Sequence, residues 1–215
     1  MKLIQRNIKF DSFNYLIIYY SQYFCINHSL ISKEPKQMKE QKNALRKRMR
    51  ILKKEVPIEE KKHRSQVIWG KVEQLSAFRD SKVVMAYWSM NDEVYTHDFV
   101  KKWAQDKTIV LPAVNKDVLE LRIFEGMHSM EEGERYGILE PSGSSLAAPK
   151  LVDFIIVPGV AFDRQNNRLG RGKAYYDKLL RDIAAYRVGV CFDFQYVDSV
   201  PTDEHDVAVD HVVTD

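Results

Sequence analysis

Cysteine is nearly absent from this chain. Cys25 and Cys191 are the only two in 215 residues, too few for a disulfide framework, and no Cys or His cluster has zinc-site spacing. That usage fits a reducing cytoplasm. No internal repeat is visible, and nothing reaches bilayer length. The aromatic and β-branched run at residues 13–26 (FNYLIIYYSQYFCI) holds 14 residues, where a membrane span needs about 20. Net charge is missing from most of the chain as well. Residues 1–37 carry Lys2, Arg6, Lys9, Lys33 and Lys36 against Asp11 and Glu34, which accounts for the whole formal charge of +3. The remainder holds 28 basic and 28 acidic residues. A neutral body argues against a general nucleic-acid binder, whose affinity rests on phosphate neutralisation.

Residues 1–37 stand apart in composition too. They have the basic start and apolar middle of a secretory signal, but Asn27-His28-Ser29-Leu30 lacks the small residues of a cleavage site. They read as upstream sequence translated in frame before Met38, with a membrane-associated anchor as the sharper alternative. Residues 38–215 then form one domain, since a chain with 45% hydrophobic and 29% charged residues is long enough for one buried core and short for two.

From Met38, Leu45, Met49, Leu52 and Val56 recur at helical steps, with Lys, Arg, Gln and Glu between them. Pro57 interrupts this helix and suits the first position of the next, with Glu59 and Glu60 in its first turn. Ile68, Val72 and Leu75 carry that second helix to about Phe78. Residues 82–88 (KVVMAYW) form a buried strand, and Thr96 caps a helix to about Gln105. Residues 108–111 and 119–124 are strands, the second alternating. Residues 126–149 read as loop and turns. Residues 151–157 (LVDFIIV) are the most apolar strand, residues 174–183 a helix and residues 187–192 a strand. This order predicts a three-layer α/β/α domain: a mainly parallel open sheet with helices on both faces.

In such folds ligands bind beyond the carboxyl ends of the strands. The most apolar strand leads into Gly159-Val-Ala-Phe-Asp163 and then Arg168-Leu-Gly-Arg-Gly-Lys-Ala-Tyr-Tyr-Asp177. Gly170 and Gly172 allow close backbone approach, Arg168, Arg171 and Lys173 supply positive charge, and a helix start follows. Together they make a phosphate site, against the bland reading of a basic surface turn. The Lys-Ser/Thr ending of a Walker loop and the third glycine of a dinucleotide fingerprint are both missing.

The segment Pro158–Asp177 resembles the signature of the 5-formyltetrahydrofolate cyclo-ligase family, in which a Gly-x-x-Phe-Asp stretch precedes Arg-Leu-Gly-x-Gly-x-Gly-Tyr-Tyr-Asp. Four further stretches agree in order: Lys42-Asn-Ala-Leu-Arg46, Ser89-Met-Asn-Asp-Glu93, Gly137-Ile-Leu-Glu-Pro141 and His205-Asp206-Val-Ala-Val-Asp210. The resemblance implies that ATP phosphorylates the formyl oxygen of 5-formyltetrahydrofolate. A side-arm nitrogen then closes the ring to 5,10-methenyltetrahydrofolate, with release of ADP and phosphate. It assigns the nucleotide to Lys42, Arg46 and the loop Arg168, Leu169, Gly170, Arg171, Gly172, Lys173, Ala174, Tyr175 and Tyr176. Folate falls to Trp88, Glu93, Arg171, Gly172, Lys173 and Tyr175, catalysis to Arg171, Lys173 and Tyr175, and Mg2+ to Asp177 and Asp206. A monomer in the cytoplasm is expected, with neither nucleic acid nor membrane as partner.

Each assignment has a plainer counterpart. Lys42 and Arg46 lie one helical turn apart and, on spacing alone, belong to a solvated basic face with Arg48, Arg50 and Lys53. Asp177 reads as a first-turn helix carboxylate, Asp206 as a turn residue, Trp88 as the end of a core strand and Tyr175 and Tyr176 as helix packing, with function favoured for Tyr175 only. Ala174 departs from the family's usual glycine and narrows the backbone angles open there. Asn166-Asn167 replaces a glycine-bearing turn, which asparagine tolerates. Two other functions fit the sequence less fully. A phosphosugar isomerase with a phosphate loop leaves Lys42, Arg46 and His205-Asp206 unexplained, and a folate-binding module without turnover uses the same contacts.

Overall fold

The computed structural model describes residues 35–115, 118–133, 139–142, 144 and 148–215. Residues 41–215 form one compact unit. Helix α1 (Pro35–Glu55) begins three residues before Met38, so residues 1–34 of the leader lie outside the described residues. Pro57 ends α1 but sits at the N-cap of α2 (Ile58–Gln74), one position before the helix itself. Leu75 is extended and breaks the second helix, which resumes as α3 (Ser76–Asp80) and turns Phe78 into the core.

Strand β1 (Val83–Met85) leads to helix α4 (His97–Trp103), then to β2 (Thr108–Asn115) and β3 (Val118–Ile123). Short strands β4 (Met130–Glu132) and β5 (Leu139–Pro141) pair in the segment expected to be loop. Gly137 and Ile138 of the third family stretch lie outside the described residues. Strand β6 (Phe154–Pro158) is followed by β7 (Ala161–Asp163), β8 (Arg168–Leu169), helix α5 (Tyr175–Asp182), β9 (Tyr186–Val190), β10 (Tyr196–Val197) and β11 (His211–Val213).

The main sheet has the order β11-β9-β6-β1-β2-β3, all parallel except the β2–β3 hairpin. Alternate residues serve opposite faces, as strand geometry requires. Val84, Ile109, Phe154 and Ile156 pack with Ile68, Phe78 and Phe99 of α2, α3 and α4. Met85, Val110, Ile155 and Val157 pack with Leu180 of α5. Helices thus cover both faces. No helix among the described residues is long and apolar enough to cross a membrane.

Thr96 corrects one expectation. It occupies the N-cap of α4 without capping it. Its Oγ1 instead donates to Tyr87 O at 2.6 Å and accepts from Ser89 N at 3.0 Å, while Ser89 Oγ accepts from Thr96 N at 3.0 Å. The hydroxyls close the loop after β1 on itself.

The strand order places a switch point at β1 and β6. The chain builds outward from β1 to β2 and β3, then returns to β6 and builds the other way through β9 and β11. Ligand crevices open at such points, beyond the strands' carboxyl ends. Here β1 stops pairing after Met85 while β2 runs on to Asn115, which leaves a gap between β2 and β6. A small sheet, β10-β7-β8, stands at this end. Leu45, Met49 and Leu52 of α1 pack on its Ala161, Leu169 and Val197. The apolar stripe of α1 therefore faces this small sheet, and the basic residues beside the stripe come to the crevice.

Phe162, fully buried, links the small sheet to the main one. A Cβ added at Gly159, in the turn after β6, or at Gly189 of β9 would lie 2.3 or 2.4 Å from its ring, so both positions need glycine. Gly189→Ala is expected to destabilise the fold by about 1–3 kcal/mol through overpacking, seen as a lower Tm. An unchanged Tm would show that the ring has room to move.

Candidate active site

Two pockets adjoin at the crevice. The first lies over the gap above β1 and has apolar walls, with Trp88, Met90, Pro112, Val114, Leu119 and Pro158 among its lining and Glu93 as a carboxylate. The second is lined by Lys42, Arg46, Lys178, Arg181, Asp203 and Asp206. Gly170, Gly172, Ala174 and Asp177 line both. One loop is their common wall.

That loop is shaped by two residues in left-handed conformation, Gly172 (φ 96°) and Ala174 (φ 55°), which flank Lys173. Arg46 reaches it from α1, donating from Nε to Gly170 O at 2.9 Å, and a Cβ on Gly172 would meet the Arg46 guanidinium at 3.4 Å. Beneath the loop Arg168 is buried. Its Nη2 donates to Asp177 Oδ1 at 2.8 Å and its Nη1 to Pro158 O at 3.3 Å, and the guanidinium lies 5.6 Å from the centre of the Tyr176 ring. The Tyr176 hydroxyl is buried without a hydrogen bond among the described residues, and burial pushes its pKa upward.

On the first pocket's side of the wall Arg171 binds the loop after β1. Its Nη2 donates to Asp92 Oδ1 at 2.6 Å and to Glu93 Oε1 at 2.9 Å. Glu93 also accepts from Met90 N at 3.0 Å, and its side chain is only 11% exposed. Burial alone would lower the Arg171 pKa, but Glu93 and Asp92 outweigh it and raise it. Trp88 is half-buried and stacks on His97 at 3.9 Å between ring centres.

On the other side Lys42 is buried, and its Nζ donates to Asp203 Oδ2 at 2.6 Å and Asp206 Oδ2 at 2.5 Å. Burial opposes the Lys42 charge, yet the two carboxylates raise its pKa above the ordinary lysine value. Val207 N donates to Asp177 Oδ1 at 3.4 Å, which ties the Asp206 segment to α5. Among the described residues no group of three or more His, Cys, Asp or Glu side chains converges as a metal cage.

Residues 38–215 match the 5-formyltetrahydrofolate cyclo-ligase family. The chain belongs to that family. It is 30% identical over 185 residues to the 5-formyltetrahydrofolate cyclo-ligase of Mus musculus, which covers 79% of this chain and 89% of the mouse protein. The solved 5,10-methenyltetrahydrofolate synthetase of Aquifex aeolicus superposes with a TM-score of 0.73 at 34% identity, over 80% of this chain and 89% of that one. The synthetase of Mycoplasma pneumoniae gives 0.65 at 26% identity, over 80% and 97%.

The residues that the family resemblance singles out come together from four separate parts of the chain. Trp88, Glu93, Arg168, Gly170, Arg171, Gly172, Lys173, Ala174, Tyr175, Tyr176 and Asp177 line the first pocket. Lys42, Arg46, Leu169, Asp177 and Asp206 line the second. Lys53 is not part of a solvated face: it is 4% exposed and lies 3.6 Å from Asp92 Oδ2. Lys53, Asp92, Lys178, Arg181 and Asp203 are charged groups at or beside the site that sequence reasoning missed. A signal existed for Lys53, which follows Lys42 and Arg46 on one helix face by steps of four and seven.

Ala174 carries a testable strain. A left-handed conformation costs a non-glycine residue about 1–2 kcal/mol, whereas glycine adds up to about 1 kcal/mol of unfolded-state entropy. The first effect exceeds the second, so Ala174→Gly is expected to raise the Tm slightly. A fall in Tm would show that the methyl group packs usefully.

Proposed function

We propose that this chain converts 5-formyltetrahydrofolate and ATP to 5,10-methenyltetrahydrofolate, ADP and phosphate. The observation that carries this reading is the single loop, Gly170–Asp177, walling an apolar pocket on one side and a cationic one on the other. A phosphoryl donor and a flat acceptor held in those pockets meet across it.

The formyl oxygen of an amide-like group is a poor leaving group, so the reaction needs it phosphorylated. Lys42 and Arg46 fit the nucleotide's phosphates in the second pocket, with Arg168 holding the loop that contacts them. In the first pocket Trp88 offers an aromatic wall to the pterin, and Glu93 a carboxylate that accepts from its N–H groups. The formyl oxygen attacks the γ-phosphorus and ADP departs. Arg171 and Lys173 neutralise charge on the phosphoryl in flight, and Tyr175 lines the same wall. The side-arm nitrogen then attacks the activated carbon, the carbon–oxygen bond breaks, and phosphate leaves. Alignment and charge neutralisation do most of this work.

Asp177 and Asp206 suit magnesium. Each has one oxygen in an ion pair, while Oδ2 of Asp177 and Oδ1 of Asp206 carry no hydrogen bond among the described residues. Two hard carboxylates with nucleotide and water oxygens make the shell this ion prefers. Bound there, magnesium would offset the negative charge of the nucleotide phosphates. Cysteine usage supports a cytoplasmic setting, and the reading needs only a monomer. A family match that begins at residue 38 supports treating residues 1–37 as outside the enzyme.

The deciding experiment adds 5-formyltetrahydrofolate with and without MgATP and follows the absorbance of the methenyl product. Binding without an absorbance change would favour a folate carrier. Lys173→Ala is expected to lose about 3–4 kcal/mol of transition-state stabilisation with little change in Tm. Turnover within twofold of wild type would remove the role. Asp206→Asn is expected to raise the magnesium midpoint at fixed ATP, with partial recovery at high magnesium. A lower Tm with an unchanged midpoint would make Asp206 a residue of the fold alone.

A further inference from the structure

Lys53 is a buried charge that the reaction leaves without a task. It lines neither pocket. Its position on α1 adjoins Leu45, Met49 and Leu52, all apolar, so packing alone would accept methionine or leucine there. Burying an ammonium is costly unless it is paired, and burial does lower the Lys53 pKa. The partner is Asp92, with Nζ 3.6 Å from Oδ2. The other oxygen of Asp92 accepts from Arg171 at 2.6 Å, and Arg171 reaches Glu93 beyond it. Burial would raise the Asp92 carboxyl, but Lys53 and Arg171 together hold it below the usual range.

These four groups alternate in sign and sum to zero. Without Lys53, Arg171 would stand between two carboxylates, and this cluster beside the folate pocket would be net negative. A phosphoryl group acquiring negative charge on transfer would then meet repulsion where it needs a cation. We propose that Lys53 is a positioning residue: it holds Asp92 and balances its charge, leaving the Arg171 guanidinium effective toward the transferring phosphoryl. This rests on the role given to Arg171 above.

The test compares kcat, both KM values and Tm for Arg171→Ala, Lys53→Met, Asp92→Asn and the double variant Lys53→Met/Asp92→Asn. Lys53→Met is expected to lower kcat by about tenfold or more, with KM for folate changed far less and Tm equal or higher. The double variant restores neutrality with Arg171 and Glu93 alone, and so should recover much of the lost kcat. A structural role predicts the reverse, with the double variant no better than Lys53→Met and a reduced Tm in both. Wild-type kcat in Lys53→Met beside an inactive Arg171→Ala would overturn the proposal for Lys53 alone. An active Arg171→Ala would overturn the Arg171 role, and this inference with it. Lys53→Gln carries the same expectation should the methionine variant not fold.

Discussion

Arg168 leaves β8 with a guanidinium that water hardly reaches, and a charge so placed has to be paired within the fold. Pro158 O and Asp177 Oδ1 take its two ends, which ties the last residue of β6 to the first turn of α5. The segment between them, Leu169–Ala174, is fixed at its base by this pair and from α1 by the bond of Arg46 to Gly170 O. Held at these points, the chain has to turn sharply over few residues. Gly172 and Ala174 supply that turn with positive φ angles. Lys173 is presented because its neighbours have no other way to run.

A wall one loop thick decides how the two halves of the site communicate. The second pocket takes Lys42 and Arg46 from α1 and Lys178 and Arg181 from α5, the first takes Trp88 and Glu93 from the loop after β1, and neither α1 nor that loop contributes to the other pocket. Their relative position is set through contacts with the shared loop: Arg46 to Gly170 on one side and Arg171 to Asp92 and Glu93 on the other. Bringing donor and acceptor into line is the larger part of what phosphoryl transfer requires. A displacement of this loop would misalign both substrates at once.

How much of this the sequence disclosed follows from the length of each signal. The core strands and the amphipathic helices carry runs long enough to show their period, and they stand within a few residues of where the pattern puts them. Strands β7, β8 and β10 have two or three residues each, too short for any periodicity, so the small sheet that orients α1 was invisible. That gap led directly to the misreading of Lys53. With no partner for the apolar stripe of α1 in view, every lysine beside it looked solvated. Thr96 failed for a different reason, since a hydroxyl can serve its own helix or a nearby carbonyl, and only the fold shows that Tyr87 O lies closer to hand. The glycine-and-cation loop was legible because its chemistry is local. The pairing of Lys42 with Asp203 and Asp206, more than 160 residues away, was not.

On the proposed reading, the distribution of ion pairs gives the cations of one site unequal weight. Lys42 and Arg171 are already held by carboxylates, so a phosphate that binds them must exchange one anion for another, and the net gain is a difference between similar terms. Lys173 is exposed and has no ion pair among the described residues, a state that costs little because water solvates it. Its interaction with charge that appears only during transfer is offset by nothing it had to give up. Groups that gain in the transition state and not before are the ones that raise turnover. On the proposed reading, Lys173 at the crest of the loop meets the developing charge with no ion pair to give up, while Arg171 meets it with its carboxylate partners balanced in part by Lys53.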